Sequence, residues 1–423
     1  MIKENMNSEG IEVESGWKEY KTIDTPFGII AEDWSYIPSL QFCTKITDGT
    51  HDSPKQQKAG KHLVTSKHIK GRNIDFETAY LISKKDFDNI NLRSKVEQWD
   101  VIVSMIGEYC GFTYVERNES INYAVKNVGL FKTGSEHKAM WLFYYLNSKI
   151  GRHILEINKS GTSQPYLTLG FLRELPILYP SSSVEANHII QILTSLDDKI
   201  DLLNRQNKTL EQLAETLFRQ WFVEESEEAN LVRLGDVVKT SSGGTPSRSK
   251  MEYYYNGTVK WVKSKELQGS FIFDTEEKVT DEAVKNSSAK LFPANTILIA
   301  MYGATVGEYA ILAEPATCNQ AVCGLIPNED FPFTFLFVLT KYNKENLIGL
   351  AGGSAQQNIS QELIKDIEIP NSIERIRNYH NTVEPYFQKI KSNQTQIRTL
   401  TQTRDTLLPK LMSGVVRVMM SEQ

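Results

Sequence analysis

The sequence predicts an α+β fold: two tandem mixed α/β domains separated by two long helices that form an antiparallel coiled coil, with pseudo-twofold internal symmetry. Three observations predict it. At 423 residues the chain is too long for one ordinary core. A set of short passages recurs in the same order at an offset of roughly 190 to 198 residues, the mark of a duplicated module. Two segments carry long heptad stripes.

The elements follow in order. Residues 1–30 are a leader, and MIKENMNSEGIEVESG is polar and acidic where a signal peptide would be basic and then apolar. The first domain spans 31–180. Its strand-like runs are DVIVSMI and VGLFK, and His137 to Leu155 reads as one amphipathic helix whose Trp141, Phe143, Tyr144 and Tyr145 belong to the core. A central helix spans 181–226, with a stripe at Ile189, Leu193, Leu196, Ile200, Leu203, Asn207, Leu210, Ala214, Leu217 and Trp221. The second domain, 227–371, carries the strand-like runs VKWVK, TILIAMY and AVCGLI. A distal helix spans 372–415, with Val383, Tyr386, Ile390, Asn393, Ile397, Leu400, Arg404, Leu407 and Leu411 along its stripe, and 416–423 form a tail. At 1.5 Å per residue the central stripe makes a rod of roughly 50 Å. Such a rod buries its seam most economically on the other copy, and a twofold relation between the copies makes the pair antiparallel. Asn207, Asn393 and Arg404 would then favour one register over slipped ones.

The repeat is specific in its order. Gly49 and Thr50 fall on Gly244 and Thr245, VTSKHIKG on VKSKELQG, VIVSMIGEYCG on ILIAMYGATVG, and NYAV on NQAV. Last come SGTSQPYL at Ser160 and GGSAQQNI at Gly352, each running into an Ile/Leu segment that stops at proline.

Charge and motifs limit the chemistry. The net charge is −5, but Thr44 to Arg72 contains Lys45, Lys55, Lys58, Lys61, Lys67, Lys70 and Arg72 against only Asp48 and Asp52. The acidic counterweight lies in the leader and in EESEE, Glu224 to Glu228. A basic face on an acidic chain suits phosphate binding on one side and protein partners on others. No nucleotide-cradling G-x-x-x-x-G-K-[ST] loop, G-x-S-x-G elbow, [DNS]-P-P-[FY] tetrapeptide or metal-spaced His and acid cluster occurs, so no catalytic residue and no metal ligand is assigned. Cys43, Cys110, Cys318 and Cys323 read as buried thiols. The longest apolar run, FPFTFLFVL, is half a membrane span, so a cytoplasmic chain without a membrane partner is expected. The chain should bind and orient while another chain does the chemistry. Two equivalent loops, Ile46 to Lys61 and Ser241 to Gly257, offer hydroxyls, glycines and cations fit for phosphates and base edges.

The order of DGTHDSP, GTSQPYL, a heptad helix ending LFRQWFV, then GGTPSRSKMEYY, AMYGATVG, NQAV, GGSAQQNIS and a closing helix with LLPKLMSG resembles the specificity subunit of a Type I restriction-modification system, from about Asp33 onward. The resemblance implies two target recognition domains, each reading part of a split double-stranded DNA site, with the helices as a ruler between them. It also implies partners: two methyltransferase subunits that methylate adenine with S-adenosylmethionine, and restriction subunits that use ATP and Mg, with no cofactor on this chain. Carried over, it places Asp48, Gly49, Thr50, His51, Ser53, Lys55, Lys58, Lys67, Ser163 and Gln164 of the first copy at DNA. From the second copy it places Gly244, Thr245, Ser247, Arg248, Lys250, Tyr253, Lys263, Lys265, Tyr302, Gln356 and Gln357 there. The rival reading is a coiled-coil scaffold that binds no nucleic acid, and the basic loop argues against it.

Overall fold

The computed structural model describes residues 21–225, 231–351 and 358–418. Two compact units emerge, one made of Met1–Ile200 with Thr399–Gln423, the other of Asp201–Arg398. The division cuts both long helices, so each unit owns part of each helix.

In the first unit the strands are β1 (Thr22–Thr25), β2 (Gly28–Ala31), β3 (Ser35–Pro38), β4 (Lys45–Asp48), β5 (Lys61–Thr65), β6 (Ile69–Lys70), β7 (Asn73–Ile74), β8 (Leu81–Ile82), β9 (Asp100–Ser104), β10 (Thr113–Val115), β11 (Tyr123–Lys126), β12 (Val128–Lys132) and β13 (Pro176–Tyr179). A four-stranded antiparallel sheet runs β10-β9-β12-β4, and a three-stranded sheet runs β11-β5-β8 with β11 parallel to β5. The strand β13 pairs with β3, closing the domain where it leads into the central helix. Every residue of β9 is buried, which is why its centre, Val101 to Val103, is apolar without alternation.

The second unit repeats this wiring with β14 (Leu231–Arg233), β15 (Lys239–Ser242), β16 (Val259–Val262), β17 (Phe271–Ile272), β18 (Lys278–Val279), β19 (Ile297–Ala300), β20 (Tyr309–Leu312), β21 (Thr317–Cys318), β22 (Val322–Ile326) and β23 (Glu368–Pro370). The order β20-β19-β22-β15 matches β10-β9-β12-β4, with β17 added at the edge. The small sheet again has one parallel pair, β21 with β16, and one antiparallel pair, β16 with β18. The strand β23 closes on β14 as β13 does on β3. Matching order and sense in both sheets make the duplication a property of the fold as well as of the sequence.

The helix expected from His137 to Leu155 is two helices, Glu136–Asn147 and Lys149–Ile157. Ser148 breaks them: its extended backbone ends the first, and its hydroxyl accepts from Gly151 N (3.2 Å) while donating to Tyr145 O (2.7 Å). The break folds the second helix back so tightly that a Cβ on Gly151 would sit 2.0 Å from Tyr145 O. The aromatic cluster is core: Trp141 donates to Leu178 O (2.9 Å) and Tyr145 to Pro176 O (2.6 Å), so their polar atoms are satisfied inside.

The central helix is Ser183–Arg219, continued by a π-helical turn at Gln220–Glu224, and the distal helix is Ile373–Leu411. They pack antiparallel. Asp197 bonds Arg404 in the first unit; in the second, Asn207 bonds Asn393, Ala214 O accepts from Tyr379, and Trp221 O accepts from Arg375, so one number falls as the other rises. Leu193, Ile200, Leu203, Asn207, Val383, Ile390, Asn393 and Leu411 are buried, and Leu196, Leu210, Leu217, Trp221, Tyr386, Ile397, Leu400 and Leu407 are half-buried. The apolar surface is wider than a helix-pair seam. Phe218, Phe222, Ile376, Tyr379 and Phe387 share one core with Ile297, Ile299 and Phe335 of the second unit, and Ile189, Leu193 and Leu411 share another with Val101, Val103 and Phe131 of the first. The expectation of a rod buried only on its copy is corrected in this respect: each helix end is also a wall of a domain core.

Polar pairs fix the register. Asn393 Nδ2 donates to Asn207 Oδ1 (2.9 Å), both residues buried. An offset of about 190 residues carries Asn207 onto Ile397 and Asn393 onto Leu203, so the duplication does not reproduce the pair, and only the unlike helices satisfy it. Asp197, 2% exposed, accepts from Arg72 (2.7 Å), Arg404 (2.9 Å) and Tyr144 (2.9 Å). This corrects the inclusion of Arg72 in a phosphate-binding face, since its guanidinium is spent inside the first unit.

Candidate nucleic-acid interface

The first loop is anchored before it is exposed. After β4, Gly49 N donates to Val128 O (2.8 Å) and Thr50 N to Val125 O (3.0 Å), and a Cβ on Gly49 would lie 2.6 Å from Val125 O. The Asp48 carboxylate takes His51 Nε2 (2.8 Å) and Arg93 (3.2 Å), while Arg93 also donates to Gly49 O (2.8 Å). Beyond this lock His51, Ser53, Lys55 and Lys58 are exposed, as is Lys67 on the turn after β5. Among the described residues Lys55, Lys58 and Lys67 have no carboxylate within 4.0 Å, so their charge is available to an anion.

The second loop starts from an equivalent lock. Gly243 N donates to Val322 O (3.0 Å), Gly244 N to Cys318 O (2.9 Å), and Trp261 Nε1 to Gly244 O (3.1 Å). A Cβ on Gly244 would meet Ser288 O at 2.2 Å. Tyr253 is 3% exposed and accepts from Lys250 (3.1 Å); Tyr254 donates to Pro246 O (2.6 Å); Thr245 donates to Gln320. Three of the cations here are compensated. Arg248 pairs with Glu277 (2.8 Å), Lys263 with Glu277 (2.6 Å) and Lys265 with Glu276 (2.6 Å). Lys263, then Arg248, hold the Glu277 carboxyl below its ordinary value, and Lys265 does the same for Glu276.

The recurring SGTSQPYL passage is a turn that doubles back on the glycine turn after β9. Ser160 N and Tyr166 N exchange bonds with each other's carbonyls (2.9 and 2.8 Å), Gly107 N donates to Pro165 O (2.9 Å), and Leu167 N to Met105 O (2.8 Å). Gly107 and Gly111 hold φ of +81° and +91°, and their counterparts Gly303 and Gly307 hold +72° and +81°, a backbone that glycine adopts without strain. Ser163 and Gln164 are exposed at the tip. In the second copy Ile359 N donates to Met301 O (2.9 Å) beside exposed Tyr302. Gln356 and Gln357 lie outside the described residues.

Of the residues expected at DNA, His51, Ser53, Lys55, Lys58, Lys67, Ser163, Gln164, Ser247, Arg248, Lys250, Lys265 and Tyr302 are exposed, and Thr245 and Lys263 are half-buried. Asp48, Gly49, Thr50, Gly244 and Tyr253 are buried, and packing and hydrogen bonding hold them where they shape the loops. Sequence reasoning missed Arg93, Glu276 and Glu277, which lie apart along the chain from the residues they hold and carry no motif, and it noted Gln320 only as part of the NQAV repeat. Cys43, Cys110, Cys318 and Cys323 are buried thiols, and burial pushes Cys43 and Cys323 up to about 12. No described helix is long and apolar enough to cross a membrane.

Two copies of one frame with differently armed loops have a counterpart among known proteins. Residues 55–212 and 226–373 each match the Type I restriction modification DNA specificity domain. The chain belongs to this family. It is similar to the specificity subunit of the Type I restriction enzyme MjaIX of Methanocaldococcus jannaschii, 27% identical over 306 residues, covering 66% of this chain and 69% of that one. The MjaVIII specificity subunit of the same organism is 22% identical over 444 residues, covering 96% of this chain and 97% of that one. The crystal structure of the S subunit of a Type I restriction-modification system from M. genitalium has the same fold, with a TM-score of 0.59 at 17% identity, covering 89% of this chain and 96% of that one. The chain is thus a specificity subunit of a Type I restriction-modification system, a non-catalytic component that recognises the DNA target.

Proposed function

We propose that this specificity subunit reads a bipartite double-stranded DNA target, one part per recognition domain, and positions two methyltransferase subunits and the restriction subunits on it. One observation carries the reading: two topologically matched domains present equivalent loops whose exposed side chains differ, Lys55 and Lys58 in one and Arg248 and Lys250 in the other. Equal frames with unequal tips suit two different short sequences. The helices, 37 and 39 residues long, set the length of the gap between the parts. S-adenosylmethionine, ATP and Mg belong to the partner subunits, which supply adenine methylation and cleavage. Lysines without acidic neighbours contact phosphates and so position the duplex, while the exposed amides, hydroxyls and arginine address base edges.

The test is genomic adenine methylation, read by single-molecule sequencing, in cells carrying the methyltransferase partner with and without this chain. Methylation at one split motif only when the chain is present is expected. No new motif, with complex formation confirmed, would leave the scaffold reading in its place.

A further inference from the structure

We propose that Arg248 is the guanine-reading residue of the second recognition domain, its guanidinium held in place for the major groove by Tyr254, Trp261 and Glu277. This rests on the DNA-recognition reading above and names one residue and one base within it.

Arg248 stands on the loop that follows β15, and its side chain is 55% exposed. Its guanidinium carbon lies 4.4 Å from the centre of the Tyr254 ring and 5.0 Å from that of Trp261, and its Nη2 lies 2.8 Å from Glu277 Oε2. The two rings are themselves fixed, Tyr254 through its hydroxyl to Pro246 O (2.6 Å) and Trp261 through its indole to Gly244 O (3.1 Å). The guanidinium is therefore held against its neighbours before DNA arrives, and less side-chain entropy is left to lose on binding. A guanidinium has five N–H donors, and the carboxylate engages one nitrogen, leaving donors for a bidentate contact to guanine O6 and N7.

The carboxylate also decides against the other DNA ligand for arginine. The Glu277 carboxylate, shared between Arg248 and Lys263, offsets part of the charge a phosphate would seek at Arg248, whereas the edge of guanine is neutral and asks for N–H donors rather than charge. The lysines of the same face do not compete for the role: Lys250 is directed to the Tyr253 hydroxyl, and Lys263 and Lys265 are paired with Glu277 and Glu276. The first domain shows the opposite arrangement, with Lys55, Lys58 and Lys67 lacking acidic neighbours within 4.0 Å among the described residues. Uncompensated lysines suit phosphates, and a caged, carboxylate-screened arginine suits a base.

Methylated motifs from cells expressing the partner with wild type, Arg248→Ala, Arg248→Lys or Glu277→Gln provide the test. The wild type should methylate a split motif with an invariant G·C pair in one part. Both Arg248 variants should relax that one position, losing a preference of roughly tenfold to a hundredfold or more, while the other positions stay fixed. Arg248→Lys keeps the charge and loses the fork, so it separates base reading from charge. Glu277→Gln should keep the G·C requirement and methylate more near-cognate sites, because phosphate attraction is no longer screened. An unchanged motif in Arg248→Ala, or a uniform loss of methylation in both Arg248 variants with unchanged base preferences, would overturn the proposal. If the wild type itself confers no split motif, the DNA-recognition reading fails, and the proposal with it.

Discussion

Replacing Asp197 by alanine should destabilise the first unit by about 3 kcal/mol, at the lower end of the cost of breaking a buried ion pair. The carboxylate is 2% exposed and is the common acceptor for Arg72, Arg404 and Tyr144, at 2.7, 2.9 and 2.9 Å. Its loss does not strip the cations completely, since Asp198 lies 3.5 Å from Arg72 and Asp405 lies 2.8 Å from Arg404, which is why the lower end applies. For a unit of this size each kcal/mol moves the melting temperature by about 2–4 °C, so the shift should be about 6–12 °C. Scanning calorimetry of the whole chain reads it as a displaced transition. Asp198→Ala is the control: that carboxylate is half exposed and its pairs should contribute less than about 1 kcal/mol. Melting of Asp197→Ala indistinguishable from that of Asp198→Ala would refute the view that this carboxylate ties the recognition domain to both helices.

Replacing Lys55, Lys58 and Lys67 by glutamine should reduce the slope of log K against log salt by up to ~2.7, at about 0.9 per phosphate contact. The deficit in affinity at 50 mM salt should then shrink about 40-fold by 200 mM, measured by fluorescence anisotropy on the cognate duplex. Arg72→Ala should melt lower yet leave that slope unmoved. Asn207→Leu should cost about 1–3 kcal/mol by leaving the buried Asn393 amide only its long contact to Gln206 (3.4 Å), whereas Asn207→Leu with Asn393→Leu should recover most of it, as denaturation midpoints will record. Burial raises Asp100 from 3.8 to about 6 despite Lys132 beside it. The folded state therefore holds a proton that the unfolded chain has released, and stability falls as pH rises through this range. The difference corresponds to roughly 3 kcal/mol, so Asp100→Asn should gain on the wild type between pH 4 and pH 7 in urea titrations.

The sequence by itself determined the duplicated architecture, the two long helices and the family. Those features rest on local periodicity and on the order of short passages: Leu193 to Trp221 announces a helix by spacing alone, and DVIVSMI a strand by its β-branched run. The candidate interface was legible only as a pair of loops. Whether a loop residue faces solvent depends on strands distant in sequence, so Gly49 and Gly244 proved to be points of close backbone approach and Tyr253 a buried support. Only the tertiary structure decided the fate of each charge. Arg72 and Asp197 are 125 residues apart, and Arg248 and Glu277 are 29 apart. Neither pairing leaves a local pattern, because an ion pair is specified by folded distance and burial. The same reason explains the helices: a heptad stripe states that one face is apolar, but the partner that covers each stretch, helix or domain core, is chosen by the packing of the whole unit.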